Sequence, residues 1–178
     1  ILFVTGEAGA GKTALLQAFA GRASEAHPEV LVASGRGSAL SGRGDPYLSF
    51  RQILGQLTGD VEGALAAGHI SVAQATRLWQ GSADAVADLL QHGSGLVNRL
   101  LSGPALLAWM EEATGGGAWL APLRELARQD MQSLVETTDL QQQVTAVFQE
   151  LAKRRPLLLL LDDVQWADSA SLDLLFHL

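Results

Sequence analysis

Residues 1–5 form an unbroken apolar, β-branched run ended by glycine, the pattern of a buried parallel strand. Leu15, Leu16 and Phe19 then recur at helical spacing, predicting a helix over 11–20. A second strand is predicted at 30–33, and the glycine-rich polar stretch 34–46 reads as a loop. The helical pattern resumes over 48–57. From 60 to about 132 no strand pattern appears, and small apolar residues, Leu and Trp recur at helical spacings between Gly and Pro breaks. Ser71 with Gln74 three positions on forms a capping box opening a helix towards Trp79, and Pro104 and Gly115 to Gly117 punctuate later helices. Asp139 and Gln142 repeat the capping pattern before one apolar stripe of Leu140, Val144, Val147, Phe148 and Leu151. Pro156 halts that helix. Five leucines follow, 157–161, too short for a helix and suited to a strand covered on both faces; Asp168 then caps a last helix over 169–178.

The pattern predicts an α/β fold, a parallel sheet with flanking helices. About 120 residues separate the second strand from the third, far beyond a usual connection, so a large helical insertion is expected. The expected division is 1–58 for the first part of the core, 59–138 for the insertion and 139–178 for the rest of the core.

Composition narrows the choice. The chain has 178 residues, 48% of them apolar, with no Cys and four scattered His. That suits a packed core and excludes wholesale disorder, a disulfide scaffold and a thiolate metal site. Twelve Lys and Arg stand against 19 Asp and Glu, for a formal charge of −7, which disfavours a broad electrostatic grip on nucleic acid. No apolar stretch approaches the roughly 20 residues of a membrane span. The first residue is not Met and the last lies within an amphipathic pattern, so the chain reads as a segment of a longer protein, incomplete at both ends.

The chemistry is concentrated in two places. Gly6-Glu7-Ala8-Gly9-Ala10-Gly11-Lys12-Thr13 fits G-x-x-x-x-G-K-[ST] between a predicted strand and a predicted helix. Glycines let the backbone curl around an anion, so N–H groups from about Gly9 to Ala14 converge on phosphate oxygens. The helix N-terminus adds partial positive charge, Lys12 a full charge, and the Thr13 hydroxyl a ligand for Mg²⁺. Asp162 and Asp163 follow the leucine run, and a buried strand would carry them to the sheet edge where the glycine loop opens. Asp162 is expected to hold Mg²⁺ through water, and Asp163 to orient or deprotonate an attacking water.

Other residues receive quieter readings. Trp166 is expected to pack against a helix, and Asp168 to cap one. Arg36, Arg43 and Asp45, in the glycine-rich loop, are expected to be solvated, and Trp79, Trp109 and Trp119 to belong to the helical core.

With these motifs in view, GEAGAGKTALL, GRGDPYLSFRQIL and RRPLLLLLDDVQWADSASLDLLFHL resemble the AAA-type ATPase domain of STAND signal-transduction P-loop NTPases of large bacterial regulators. The resemblance spans nearly the whole chain, and DDVQWAD is its most specific part. It implies an AAA-like (ASCE) P-loop NTPase fold, ATP with Mg²⁺, and slow hydrolysis that resets a cytoplasmic switch. Its implied partners are other domains of the same polypeptide, such as tetratricopeptide-like repeats and an output domain, and an assembly that responds to nucleotide. Many AAA ATPases have Glu where this chain has Asp163. In that family the sensor strand lies between the P-loop strand and the strand that carries the acidic pair, and neither it nor an arginine finger falls within these residues. Two other readings share the glycine loop: a small-molecule or nucleotide kinase, for which the helical middle offers no evident Arg/Lys cluster, and an interaction module that binds nucleotide without turnover.

Overall fold

In a computed structural model the described residues are 1–38, 46–128 and 137–178, with backbone alone at 137–139. Arg43 and Asp45 lie outside them. Eight α-helices and two strands are described: α1 (Lys12–Ala26), β1 (Leu31–Arg36), α2 (Leu48–Leu57), α3 (Glu62–Ala66), α4 (Val72–His92), α5 (Gly103–Thr114), α6 (Ala121–Arg128), α7 (Thr137–Arg154), β2 (Leu157–Asp162) and α8 (Ser169–His177).

β1 and β2 pair in parallel, with Leu31 opposite Leu157 and Arg36 opposite Asp162. The ladder is bracketed by the Leu31 N–H donating to the Pro156 carbonyl (2.9 Å) and the Gly37 N–H to that of Asp162 (3.0 Å). β1 therefore runs three residues beyond the predicted 30–33. Pairing with the leucine strand overrides the weak strand preference of Ser34 and Gly35.

The other edge of β1 is closed by side chains. The Ser34 N–H donates to Gln56 Oε1 (2.9 Å), Gln56 Nε2 donates back to the Ser34 carbonyl (2.6 Å), and the Arg36 N–H donates to Gln52 Oε1 (2.7 Å). Gln52 and Gln56 are one turn apart on α2, so together they act as a further strand would. This close approach requires Gly35, where a Cβ would lie 2.1 Å from the Ser49 carbonyl oxygen.

Residues 1–5 do not form a strand. Ile1, Leu2 and Phe3 are exposed, and a groove of about 550 Å³, floored by Leu159, Leu161 and Phe50, separates this segment from β2. A strand is held by its ladder, and here the groove stands where a neighbour would pair. The same groove leaves β2 half-buried along its length rather than covered on both faces.

The helices share one hydrophobic core with the sheet. α2 contributes Phe50, Ile53, Leu54 and Leu57, and α7 the stripe Leu140, Val144, Val147, Phe148 and Leu151, all buried, each contributing roughly 2 kcal/mol. The Ser71–Gln74 capping box is present at the start of α4, and Gln74 Nε2 also donates to Ser24 Oγ (3.1 Å), joining α4 to α1. α7 is described from Thr137, and Asp139 lies within it rather than at its cap. Of the tryptophans expected in the core, Trp79 and Trp119 are exposed at their margins, while Trp109 is partly buried and ring-packed on Trp79. No helix among the described residues is long and apolar enough to cross a membrane.

Candidate nucleotide site

The glycine loop sits at the N-terminus of α1, exposed over residues 6–11. Gly9 and Gly11 hold φ of 78° and 84°, and no atom lies within 4 Å of a Cβ built on either. Conformation, not crowding, therefore demands glycine there. Lys12 Nζ donates to the carbonyls of Gly6 (2.9 Å) and Glu7 (2.8 Å), which folds the lysine back across its own loop. A phosphate that displaced those carbonyls would meet the ammonium, the converging amides and the positive end of α1.

One hydrogen bond joins the two distant motifs. Thr13 Oγ1 donates to Asp162 Oδ2 at 2.8 Å, across 149 positions of sequence. The parallel register of β2 delivers Asp162 to the end of the sheet where α1 begins. A hydroxyl and a carboxylate side by side are hard oxygen donors, and they suit a Mg²⁺ that takes one or two protein ligands beside phosphate oxygens.

Asp163 is held more tightly than its sequence position suggested. Its backbone is left-handed, with φ 52°. Oδ2 accepts from Arg36 Nε at 2.7 Å and Oδ1 from Gln165 Nε2 at 2.9 Å. The Arg36 hydrogen bond holds the carboxyl below the usual aspartate range, opposed by partial desolvation and aided by Gln165 and the charges of Arg36 and Lys12. Arg36, expected to be a solvated loop residue, instead ends β1 directly opposite Asp162, with its own pKa raised by the same pairing. Its signal in the sequence was there to find: a cation closing a strand whose parallel neighbour ends in two acids.

The loop after β2 packs on the residue after Arg36. A Cβ on Gly37 would lie 2.4 Å from the Asp163 carbonyl oxygen, so that turn can approach only a glycine. Asp168 caps α8 as expected, accepting from the Ser171 N–H (2.8 Å), and its Oδ1 also accepts from the Tyr47 N–H (3.2 Å) at the start of α2. Burial works to raise the Asp168 pKa, but hydrogen bonds from Ser171 and Tyr47 together lower it. Trp166, expected to pack on a helix, is 52% exposed.

A glycine loop closing on its lysine beside a strand-end carboxylate is the arrangement of a P-loop NTPase. The AAA ATPase domain family matches the chain over residues 1–178, and the chain belongs to that family. Neither the curated proteins nor the solved structures contain a match to it.

Proposed function

We propose that this domain binds Mg²⁺ and ATP and hydrolyses the nucleotide slowly, as the resettable switch of a signalling or regulatory protein. The observation that carries the reading is the Thr13–Asp162 hydrogen bond, which brings a hydroxyl and a carboxylate, oxygens of the kind Mg²⁺ takes, together beside the glycine loop. The amides of Gly9 to Ala14 and the Lys12 ammonium take the β and γ phosphates. Thr13 and Asp162 would hold Mg²⁺, which when bound would supply positive charge against the charge that develops on the phosphate oxygens. Water attacks the γ-phosphorus, ADP leaves with the electrons of the broken P–O bond, and Asp163 accepts or guides the water's proton.

The Arg36 contact supplies a reason for slowness. A carboxylate that spends both oxygens on Arg36 and Gln165, and whose basicity the arginine lowers, is a poor acceptor for a proton. Turnover thus waits on Arg36 moving away from Asp163, and whatever moves it sets the clock.

The division into a core at 1–58 and 139–178 with a helical insertion at 59–138 fits this reading, since α4 abuts β1, α2 and α7 and is tied to the phosphate-binding helix through Gln74 and Ser24. Phosphate release measured with and without Asp163→Asn tests the proposal. The reading requires turnover to fall at least about tenfold with nucleotide affinity kept; unchanged turnover would refute the role of Asp163, and no turnover in the parent would favour a binding module.

A further inference from the structure

Each of the two acids at the end of β2 has one oxygen held by a near neighbour in sequence. The Asp163 N–H donates to Asp162 Oδ1 (2.9 Å), leaving Oδ2 for the Thr13 hydroxyl (2.8 Å). Gln165 Nε2 donates to Asp163 Oδ1 (2.9 Å), leaving Oδ2 for Arg36 Nε (2.7 Å). Arg36 Nε also lies 4.0 Å from Asp162 Oδ2, so the two Oδ2 atoms turn to the same side of the pair, the side where α1 begins. The hold on Asp162 is main chain, and any residue but proline at 163 supplies it. The hold on Asp163 depends on one side chain.

Gln165 lies in a single 3₁₀ turn, Val164–Trp166, closed by the Trp166 N–H on the Asp163 carbonyl (2.8 Å) and the Ala167 N–H on that of Val164 (3.0 Å). The same turn rests on Gly37, where a Cβ would also lie 2.9 Å from the Ala167 nitrogen, so its backbone has a fixed seat. The Gln165 side chain is exposed and lines the groove beside β2 together with Lys12, Asp162 and Asp163. Its bond to Asp163 is its one hydrogen bond among the described residues.

An aspartate carboxylate turns about a broad, two-fold torsion, so its plane is set by what it bonds to. Once Arg36 moves off, Gln165 is the side chain that still sets it. We infer that Gln165 is a positioning residue: it pins Asp163 Oδ1 so that Oδ2, released by Arg36, faces the attacking water. The inference rests on the hydrolysis proposed above and adds what keeps its proton acceptor aligned. An amide suits the place because it donates without charge; Lys would add a second restraining cation, and an ionised Glu would offer Oδ1 no donor. Gln165 acts through Asp163 and not on the nucleotide, so its loss slows the reaction without weakening binding.

Steady-state phosphate release from ATP with Mg²⁺ tests the inference. Gln165→Met keeps the length of the side chain without its N–H, and Gln165→His restores one, the ring Nε2 standing as many bonds from Cα as the amide nitrogen. The side chain is exposed, so both variants are expected to melt within about 2 °C of the parent. In Gln165→Met kcat is expected to fall at least about tenfold with KM within about twofold, and in Gln165→His to return to within about threefold of the parent. Added to Arg36→Gln, Gln165→Met is expected to cost at least as large a factor as it does alone, because Asp163 then has neither holder. Unchanged kcat, a loss carried by KM, or Gln165→His no better than Gln165→Met would overturn the inference. Turnover that Asp163→Asn removes and Gln165→Met leaves intact overturns the role of Gln165 alone. A parent without turnover, or one indifferent to Asp163→Asn, overturns the proposed function and the inference with it.

Discussion

Asp163 sits in a conformation that non-glycine residues seldom adopt, and two neighbours hold it there. A left-handed backbone costs on the order of 1–2 kcal/mol, less for Asp than for most residues, and is retained where the surroundings fix it. Arg36→Gln removes the stronger neighbour. Phosphate release in that variant is expected to rise several-fold, because the carboxylate recovers its ordinary basicity. Equal or lower release at unchanged nucleotide affinity would show that Arg36 assists turnover rather than restraining it. Asp168 is the second residue under load, because one carboxylate caps α8 and also satisfies the N–H that starts α2. Asp168→Ala is expected to destabilise the fold by about 2 kcal/mol, lowering the melting midpoint by roughly 4–8 °C in calorimetry. Its pKa is lowered in the folded chain, so its contribution is complete above the unfolded carboxylate value near 4 and fades as the pH falls through the lower folded value. The stability gap between the parent and Asp168→Ala, followed by denaturant unfolding, should therefore narrow on acidification below about pH 4.

Between elements, close approach decides more than propensity does. The turn after β2 rests on Gly37 and α2 rests on Gly35, each where a Cβ would collide with backbone. Gly37→Ala is expected to shift the Asp163 turn and cut phosphate release at least about tenfold, with nucleotide binding retained; a variant as active as the parent would mean the turn moves freely. These contacts also mark the limit of what the sequence discloses. α2 and α8, the Ser71 cap and the α7 stripe were legible because each is a local pattern of spacing and caps. So was the glycine loop, whose φ values belong to its own residues. The glutamines that close the edge of β1, the arginine on Asp163 and the 149-residue reach from Thr13 to Asp162 depend on what packing brings together. Residues 1–5 show the converse: an apolar run with every mark of a strand remains outside the sheet when no edge meets it.

Across the whole molecule, α1 is fastened to its surroundings at both ends. At its start Thr13 holds Asp162; near its end Ser24 accepts from Gln74, which at the same time completes the cap of α4. Gln74 is thus a side chain that α1 and the cap of α4 share. α4 is fastened again near its C-terminus, where Arg154 Nη2 of α7 donates to the buried Asp88 (2.8 Å). Arg154→Ala would leave that carboxylate without its partner, at an expected cost of about 2 kcal/mol in denaturant unfolding, since the arginine is half-exposed and its pairing screened. If the molecule is a nucleotide switch, the loop at the start of α1 and the carboxylate at the end of β2 form one metal-dependent triphosphate site. Titration of the chain with fluorescent ATP, with and without Mg²⁺, in the parent, Lys12→Ala and Asp162→Asn, measures this directly. Saturable binding in the parent is predicted, at least about tenfold weaker in Lys12→Ala, with its Mg²⁺ dependence lost in Asp162→Asn. Binding indifferent to all three changes, or none in the parent, would contradict it.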